Sequence, residues 1–208
     1  MPARAPILLL LAALPALAQD PALDLARRVD QRQAGVRDLT ARFEQRYRSG
    51  ALGRELVERG TLAIRRPGRM RWEYQEPERK TFVADGRRFW FYVPADRQVI
   101  VRERDGERGL TARLLSGEGG LVSQFEVGLE AEPRPGLQRL RLVPRQPDPE
   151  VERVYVDVDA QARIVGLELL DAQGNRSRFR FEDLKENVGL GEGRFDFEVP
   201  AGVEVVAG

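Results

Sequence analysis

From Asp20 onward the apolar residues Ala22, Leu25, Ala26 and Val29 recur at intervals of three and four, which places them along one face of an α-helix. Asp20 suits the N-cap, Pro21 the first helical position, and Gly35 offers a stop. Beyond Gly35 the period falls to two. Leu39, Ala41, Phe43 and Tyr47 alternate with Thr40, Arg42, Glu44 and Arg46, the pattern of a strand with one buried face. The same alternation returns at Leu62 and Ile64 against Thr61 and Arg65, and at Met70, Trp72 and Tyr74 against Arg69, Arg71 and Glu73. Phe82 and Ala84 lead through an Asp85-Gly86 turn into Phe89 to Val93, and Pro94-Ala95-Asp96 turns the chain into Val99 to Val101. Further strands are predicted over 123–129, 137–143, 154–158, 164–170, 178–181 and 195–199, about eleven in all.

Short connections and charged alternate positions predict a mostly β, antiparallel meander; a parallel sheet would show continuous apolar runs separated by helices. The other helix candidate is Leu110 to Leu115, ended by the stretch Gly117 to Gly120. Residues 144–149, Pro-Arg-Gln-Pro-Asp-Pro, form a stiff loop between strands of the same character. Two short helices cannot cover an open sheet of this size, so the sheet is expected to curl on itself into an antiparallel barrel or half-barrel with its apolar faces inward. Periodicity does not decide whether that interior is solid or hollow.

The N-terminus adds an address. Arg4 precedes the apolar run Ile7 to Leu14, which closes on Ala16-Leu17-Ala18, as in a secretory signal peptide cleaved between Ala18 and Gln19. The run is shorter than the roughly 20 residues that cross a bilayer. The expectation is an exported, periplasmic protein with one domain over residues 19–208. The 34 basic and 33 acidic residues balance once Arg4 is set aside, which gives no case for nucleic acid as a partner. There is no cysteine to carry an acyl anchor or a disulfide, and no histidine, so the commonest general base and the commonest ligand for zinc are both missing. No metal, cofactor or catalytic activity is expected. Asp85-Gly86 reads as a hairpin turn, and Glu73 and Glu76 make a poor glycosidase pair because Glu73 alternates outward.

One segment carries more than a pattern. It runs Gly60-Thr-Leu-Ala-Ile-Arg-Arg66-Pro67-Gly-Arg-Met70-Arg-Trp72-Glu-Tyr74, then Pro77, Phe82-Val-Ala-Asp85-Gly86 and Trp90-Phe-Tyr92-Val-Pro94. With Phe43-Glu-Gln45 before it and Phe195-x-Phe197, Pro200-x-Gly202-Val203-x-Val205 after it, it closely resembles the LolA family of outer-membrane lipoprotein carriers. The stretch from about 103 to 150 matches only in pattern.

The resemblance implies an incomplete barrel closed by a lid of helices over a hydrophobic cavity, and no enzymatic activity. The lid would be the N-terminal helix and the segment 110–115. Acyl-cavity candidates are Phe43, Leu62, Ile64, Met70, Trp72, Tyr74, Phe89, Phe91 and Leu114, although the same inward face read from the residues alone fits plain core. Met70 departs from the aromatic or leucine common in the family at that place, and a flexible thioether adapts to varied chains. Arg66 stands where the family has a functionally important arginine before the proline. Alternation puts it on the side of Leu62 and Ile64, where its five donors would latch the lid through unpaired carbonyls at the end of a lid helix. The alternative is one more solvated arginine beside Arg65.

The implied partners are acylated lipoproteins, an inner-membrane lipoprotein-releasing ABC transporter and an outer-membrane lipoprotein receptor, with the chain itself a monomer. The receptor shares the fold but is itself a lipoprotein, which the missing cysteine argues against here. A lipid-sensing regulatory domain, or a carrier of another acylated envelope molecule, is the competing reading.

Overall fold

The structure is a computed structural model that describes residues 20–103, 110–148 and 151–208. The expected signal segment and its cleavage site lie outside these residues. Helix α1 spans Pro21–Ala34; the Asp20 carboxylate accepts the Ala22 N–H at 2.9 Å, and Leu25, Ala26 and Val29 are fully buried. It stops where Gly35 turns its N–H onto the Arg32 carbonyl.

Six strands follow: β1 Asp38–Arg48, β2 Glu55–Arg65, β3 Arg69–Glu76, β4 Lys80–Ala84, β5 Arg88–Val93 and β6 Gln98–Glu103. Each pairs antiparallel with the next. Helices α2 (Leu110–Ser116) and α3 (Leu121–Gln124) come next, then β7 Phe125–Glu130, β8 Gln138–Pro144, β9 Arg153–Val158, β10 Ile164–Leu170 and β11 Arg176–Glu186. The last strand of this second meander pairs with β1, Phe43 facing Phe181. A final strand, β12 (Glu204–Ala207), runs parallel to β6. The result is one twelve-stranded sheet in the order β12-β6-β5-β4-β3-β2-β1-β11-β10-β9-β8-β7. Its two edge strands do not meet, so the sheet curls but does not close. This is the incomplete barrel that the resemblance implied, with one more strand than the expected eleven or so.

At Gly60, beside a bulge in the β2–β3 pairing, an added Cβ would lie 2.0 Å from the Glu73 carbonyl oxygen and 3.0 Å from the Phe43 ring. Only glycine fits there. The inner face carries the main core: Phe43, Leu62, Ile64, Met70 and Trp72 from one half, Leu140, Val154, Val156, Leu167, Phe179 and Phe181 from the other, with α1 across it. α1 packs on α3, β7 and β8. Its Asp30 carboxylate accepts the N–H groups of Leu121 (2.6 Å) and Val122 (3.2 Å), clasping α3.

Two sequence expectations change. Ser123 lies in α3, and the strand after it begins at Phe125. The predicted strand 195–199 is not one: Phe195 ends a 3-10 turn (Glu192–Phe195), residues 196–199 pair with no neighbour, and the real strand comes later, at β12. The alternation of Phe195 and Phe197 is genuine, but its partner is the outer surface of the sheet. The 3-10 turn packs on β3, and Phe195 is fully buried. Phe197 stacks on Trp90 with ring centroids 5.4 Å apart and meets Tyr92 at 5.9 Å. Arg71 donates to the Arg194 and Asp196 carbonyls at 3.4 and 3.2 Å, and Arg65 to that of Leu190 at 2.6 Å. The segment is a strap over the outside of β2 to β5. It shelters a second apolar cluster, to which Ala63, Val83 and Val99 belong by alternation; all three are buried, and none joins the interior core.

If the strap is held by its buried ring, Phe195→Ala should lower unfolding free energy by about 3 kcal/mol or more, read as a shifted urea midpoint. An unchanged midpoint would mean that the strap merely lies on the surface.

Candidate functional site

All the candidate cavity residues on strands fall on the inner face and Leu114 lies in α2, but they divide into three groups. Phe43, Met70 and Trp72 are buried, and Phe43 meets Trp72 and Tyr74 edge-on at 4.9 Å each, while Trp72 meets Phe179 at 5.3 Å. Phe179 stacks on Phe181 at 6.2 Å. This cluster is closely packed. Below it, at the end of the sheet away from the helices, polar groups form a floor. The Tyr74 hydroxyl donates to Gln45 Oε1 and Gln45 Nε2 to Ser177 Oγ, both at 2.9 Å. Lys80 pairs with the buried carboxylate of Glu58 and lies 4.8 Å from the Tyr74 ring centroid. Burial pushes the Tyr74 hydroxyl's pKa up, with the Glu58 carboxylate adding to it.

Leu62 and Ile64 form the second group. With Leu39, Leu115, Ile164 and Phe181 they line a cavity of only about 30 Å³ beneath the helices, and Leu114 borders a smaller one of about 10 Å³ against α1. Such spaces hold a water or so. The third group is open. Phe89 and Phe91, with Phe82 and Ile100, line an apolar trough of about 290 Å³ whose polar wall is Arg102. No helix lies over it among the described residues. Phe82 and Phe89 stack across its base at 6.0 Å.

Arg66 follows the end of β2 and reaches the last turn of α1. Its guanidinium donates to both the backbone carbonyl and the side-chain oxygen of Gln33, one of the helix-end carbonyls that lack an intrahelical donor. On the other side Gly117, just past α2, lets it through: an added Cβ there would lie 2.5 Å from Arg66 Nη2, and the backbone has φ +66°. Arg66 thus bonds to the end of α1 and passes against the backbone just beyond α2. Burial lowers its pKa, and the carboxylates of Glu118 and Glu186 act the other way; guanidinium stays charged throughout. Its Nε is buried without a hydrogen-bond partner, a cost of the closed arrangement. A second tie lies one residue away, where Arg32 donates to both carboxylate oxygens of Glu186 at 3.3 and 2.5 Å.

Sequence reasoning missed Phe179, Phe181, Leu115 and Ile164 as wall, and Gln45, Glu58 and Lys80 as floor. The strand periods carried the inward parity of the wall residues, but nothing local said which distant strand would face Phe43. Glu73 and Glu76 are both used in outer-face contacts: Glu73 with Arg71 at 2.8 Å, Glu76 with Arg59 at 3.3 Å.

Comparison with known proteins gives one answer. The family model described as outer membrane lipoprotein carrier protein LolA matches residues 34–198. An outer-membrane lipoprotein carrier protein of Alkalilimnicola ehrlichii is 37% identical over 201 residues, covering 94% of this chain and 89% of the relative. Another from Dechloromonas aromatica is 32% identical over 190 residues, covering 89% and 90%. Among solved structures, an uncharacterized conserved protein from Thermus thermophilus aligns over 89% of this chain and 98% of its own with a TM-score of 0.56 at 17% identity, a likeness of fold.

Gly117→Ala tests the Arg66 geometry directly. The new methyl should displace the guanidinium from Gln33, and amide exchange at Gly35 and Val36, which bond to the last carbonyls of α1, should speed up severalfold. Unchanged exchange at both amides would show that Arg66 does not hold the helix end.

Proposed function

The chain belongs to the LolA family of outer membrane lipoprotein carrier proteins, and from that premise we propose how its parts carry an acyl chain. It is a periplasmic carrier of acylated lipoproteins. Each acyl CH₂ kept out of water is worth about 0.8 kcal/mol, so cargo with long chains needs apolar walls to cross an aqueous space. The observation that supports this chain as the supplier is the trough of Phe82, Phe89, Phe91 and Ile100, apolar and, among the described residues, uncovered by a helix. It lies on the same inner face as Leu62, Ile64 and Met70.

α1 and α2 act as the lid and Arg66 as its latch. In the closed state the space beneath the lid is nearly filled. An entering chain opens it by displacing α1 and parting Arg66 from Gln33, and Phe43, Leu62, Ile64, Met70, Trp72, Tyr74 and Leu114 then extend the wall that begins at Phe89 and Phe91. Residues 1–18 are a signal peptide cleaved before Gln19, and the rest works as one monomeric domain without cofactor or catalysis. Cargo comes from an inner-membrane lipoprotein-releasing ABC transporter and passes to an outer-membrane receptor.

Residues 19–208 are to be titrated with a fluorescent acyl probe and tested for release of radiolabelled lipoprotein from spheroplasts; saturable binding with release is expected, and absence of both would overturn the carrier reading. Arg66→Leu should still load lipoprotein but deliver it poorly, because the empty closed state has lost its latch and competes less with lipid. Normal delivery would remove the latch from the account. Leu62→Glu buries an unpaired carboxylate and should cut probe affinity by about tenfold or more, 1.4 kcal/mol or upwards; equal affinity would take Leu62 out of the wall.

A further inference from the structure

Beside the latch lies a pocket that the carrying of acyl chains does not use. It measures about 350 Å³, and among its walls are Arg65 and Arg66 at the end of β2, Arg69 at the start of β3, Arg87 before β5, and the acids Asp85 and Glu192. Four positive and two negative groups leave a formal surplus of two charges. The acids are already engaged. Asp85 accepts the N–H groups of Arg87 at 2.7 Å and Arg88 at 2.8 Å and the Trp90 ring N–H at 2.9 Å. Glu192 is shared between Arg65 at 3.3 Å and Arg69 at 3.0 Å. The Arg87 guanidinium has no partner among the described residues and is exposed.

We propose that this pocket binds a phosphate-class dianion, and that the bound anion draws Arg66 away from Gln33 and so loosens the lid. The second half rests on the lid reading given above; the first does not. Arg65 and Arg69 already share one anionic group, Glu192, so the arginines are spaced to converge on an oxyanion. A surplus of two positive charges matches phosphate, which carries about −1.5 to −2 at neutral pH, and planar guanidinium forks fit its oxygens two at a time. Arg66 belongs to both the pocket and the latch. An anion offers Arg66 an opposite charge as well as paired hydrogen bonds, in competition with the uncharged oxygens of Gln33. The phosphate can be free or part of a lipid headgroup.

Calorimetric titration of the full chain, at low ionic strength to limit screening, uses inorganic phosphate in one arm and dihexanoylphosphatidic acid, a lipid phosphomonoester, below its micelle concentration in the other. Saturable one-to-one binding is expected. Arg87→Gln, which breaks no contact among the described residues, should weaken it about tenfold. Binding of both ligands without saturation, or equal affinity in the variant, overturns the site. Tighter binding of the lipid assigns a headgroup, and tighter or equal binding of inorganic phosphate assigns the free anion; either supports the pocket. Phosphate at a concentration near the unaltered chain's Kd should also speed association of a fluorescent fatty acid with that chain, and should speed it much less with Arg87→Gln, which is then about one-tenth occupied. An unchanged rate overturns the coupling while the anion site stands. A fatty acid that fails to bind with or without phosphate would instead overturn the carrier reading, and the coupling with it.

Discussion

An open sheet with one apolar face has to be covered, and covering it without closing it is the constraint on which the rest of this molecule depends. A closed barrel would satisfy every strand and bury the face permanently. Here β12 and β7 remain as edges, and the cover is a helix that is apolar along its middle and tied by polar groups at its C-terminal end. Leu25, Ala26 and Val29 supply the apolar middle. The polar ties are Asp30 on the α3 amides, Arg32 on Glu186 and Gln33 beneath Arg66. No strand pairing holds this helix to the sheet, which is what the lid proposed above requires.

The outer face meets the same constraint in two ways. Over β8 to β11 it is charged: Arg139 grips Asp157 at 2.7 and 3.1 Å, and Glu168 draws Arg139, Arg176 and Arg178 within 3.1 to 3.4 Å. Asp157 and Glu168 are themselves buried, and removing Arg139 would leave Asp157 without its ion-pair partner, whereas Glu168 would keep Arg176 and Arg178. Over β2 to β6 the outer face holds Ala63, Val83, Trp90 and Val99, and the C-terminal strap covers it with Phe195 and Phe197. The half of the sheet that carries the open trough is therefore braced from behind by the strap, and the half that receives α1 is braced by ion pairs.

The strands were legible because each alternation is local and the sheet is wet on one side. Phe43 against Arg42 and Trp72 against Arg71 announce their faces without any knowledge of neighbours. The strap was misread for the same reason: Phe195 and Phe197 alternate as a strand does, and a sequence does not say whether an extended segment pairs by its backbone or lies flat on a sheet. The site was legible in parity and not in packing. Phe89, Phe91 and Trp72 share the inward face, yet two line an open trough and one sits among rings contributed by Phe179 and Phe181, more than 100 residues later in the chain. That difference is set by non-local register, Phe43 opposite Phe181, which no short window contains. Arg66 was legible because the resemblance marked it and alternation turned it inward, and its acceptor on Gln33 follows from the carbonyls that any helix end leaves open.

The strength of the latch proposed for Arg66 sets what it could do. A hydrogen bond to a charged group contributes about 1.5–3 kcal/mol, and each methylene brought out of water gains about 0.8 kcal/mol. Two to four methylenes therefore offset one such bond, and Arg66 makes two, both to Gln33. A single long acyl chain exceeds that, so the latch does not keep cargo out. Its effect falls on the empty protein: it lowers the energy of the closed state by an amount that any acceptor of the cargo no longer has to supply. Lysine in its place would reach one oxygen of Gln33 with a point charge, whereas the guanidinium fork takes the carbonyl and the side-chain amide together. The geometry that makes arginine the better latch also makes it sensitive to a competing oxyanion, since the same fork is what phosphate and carboxylate engage.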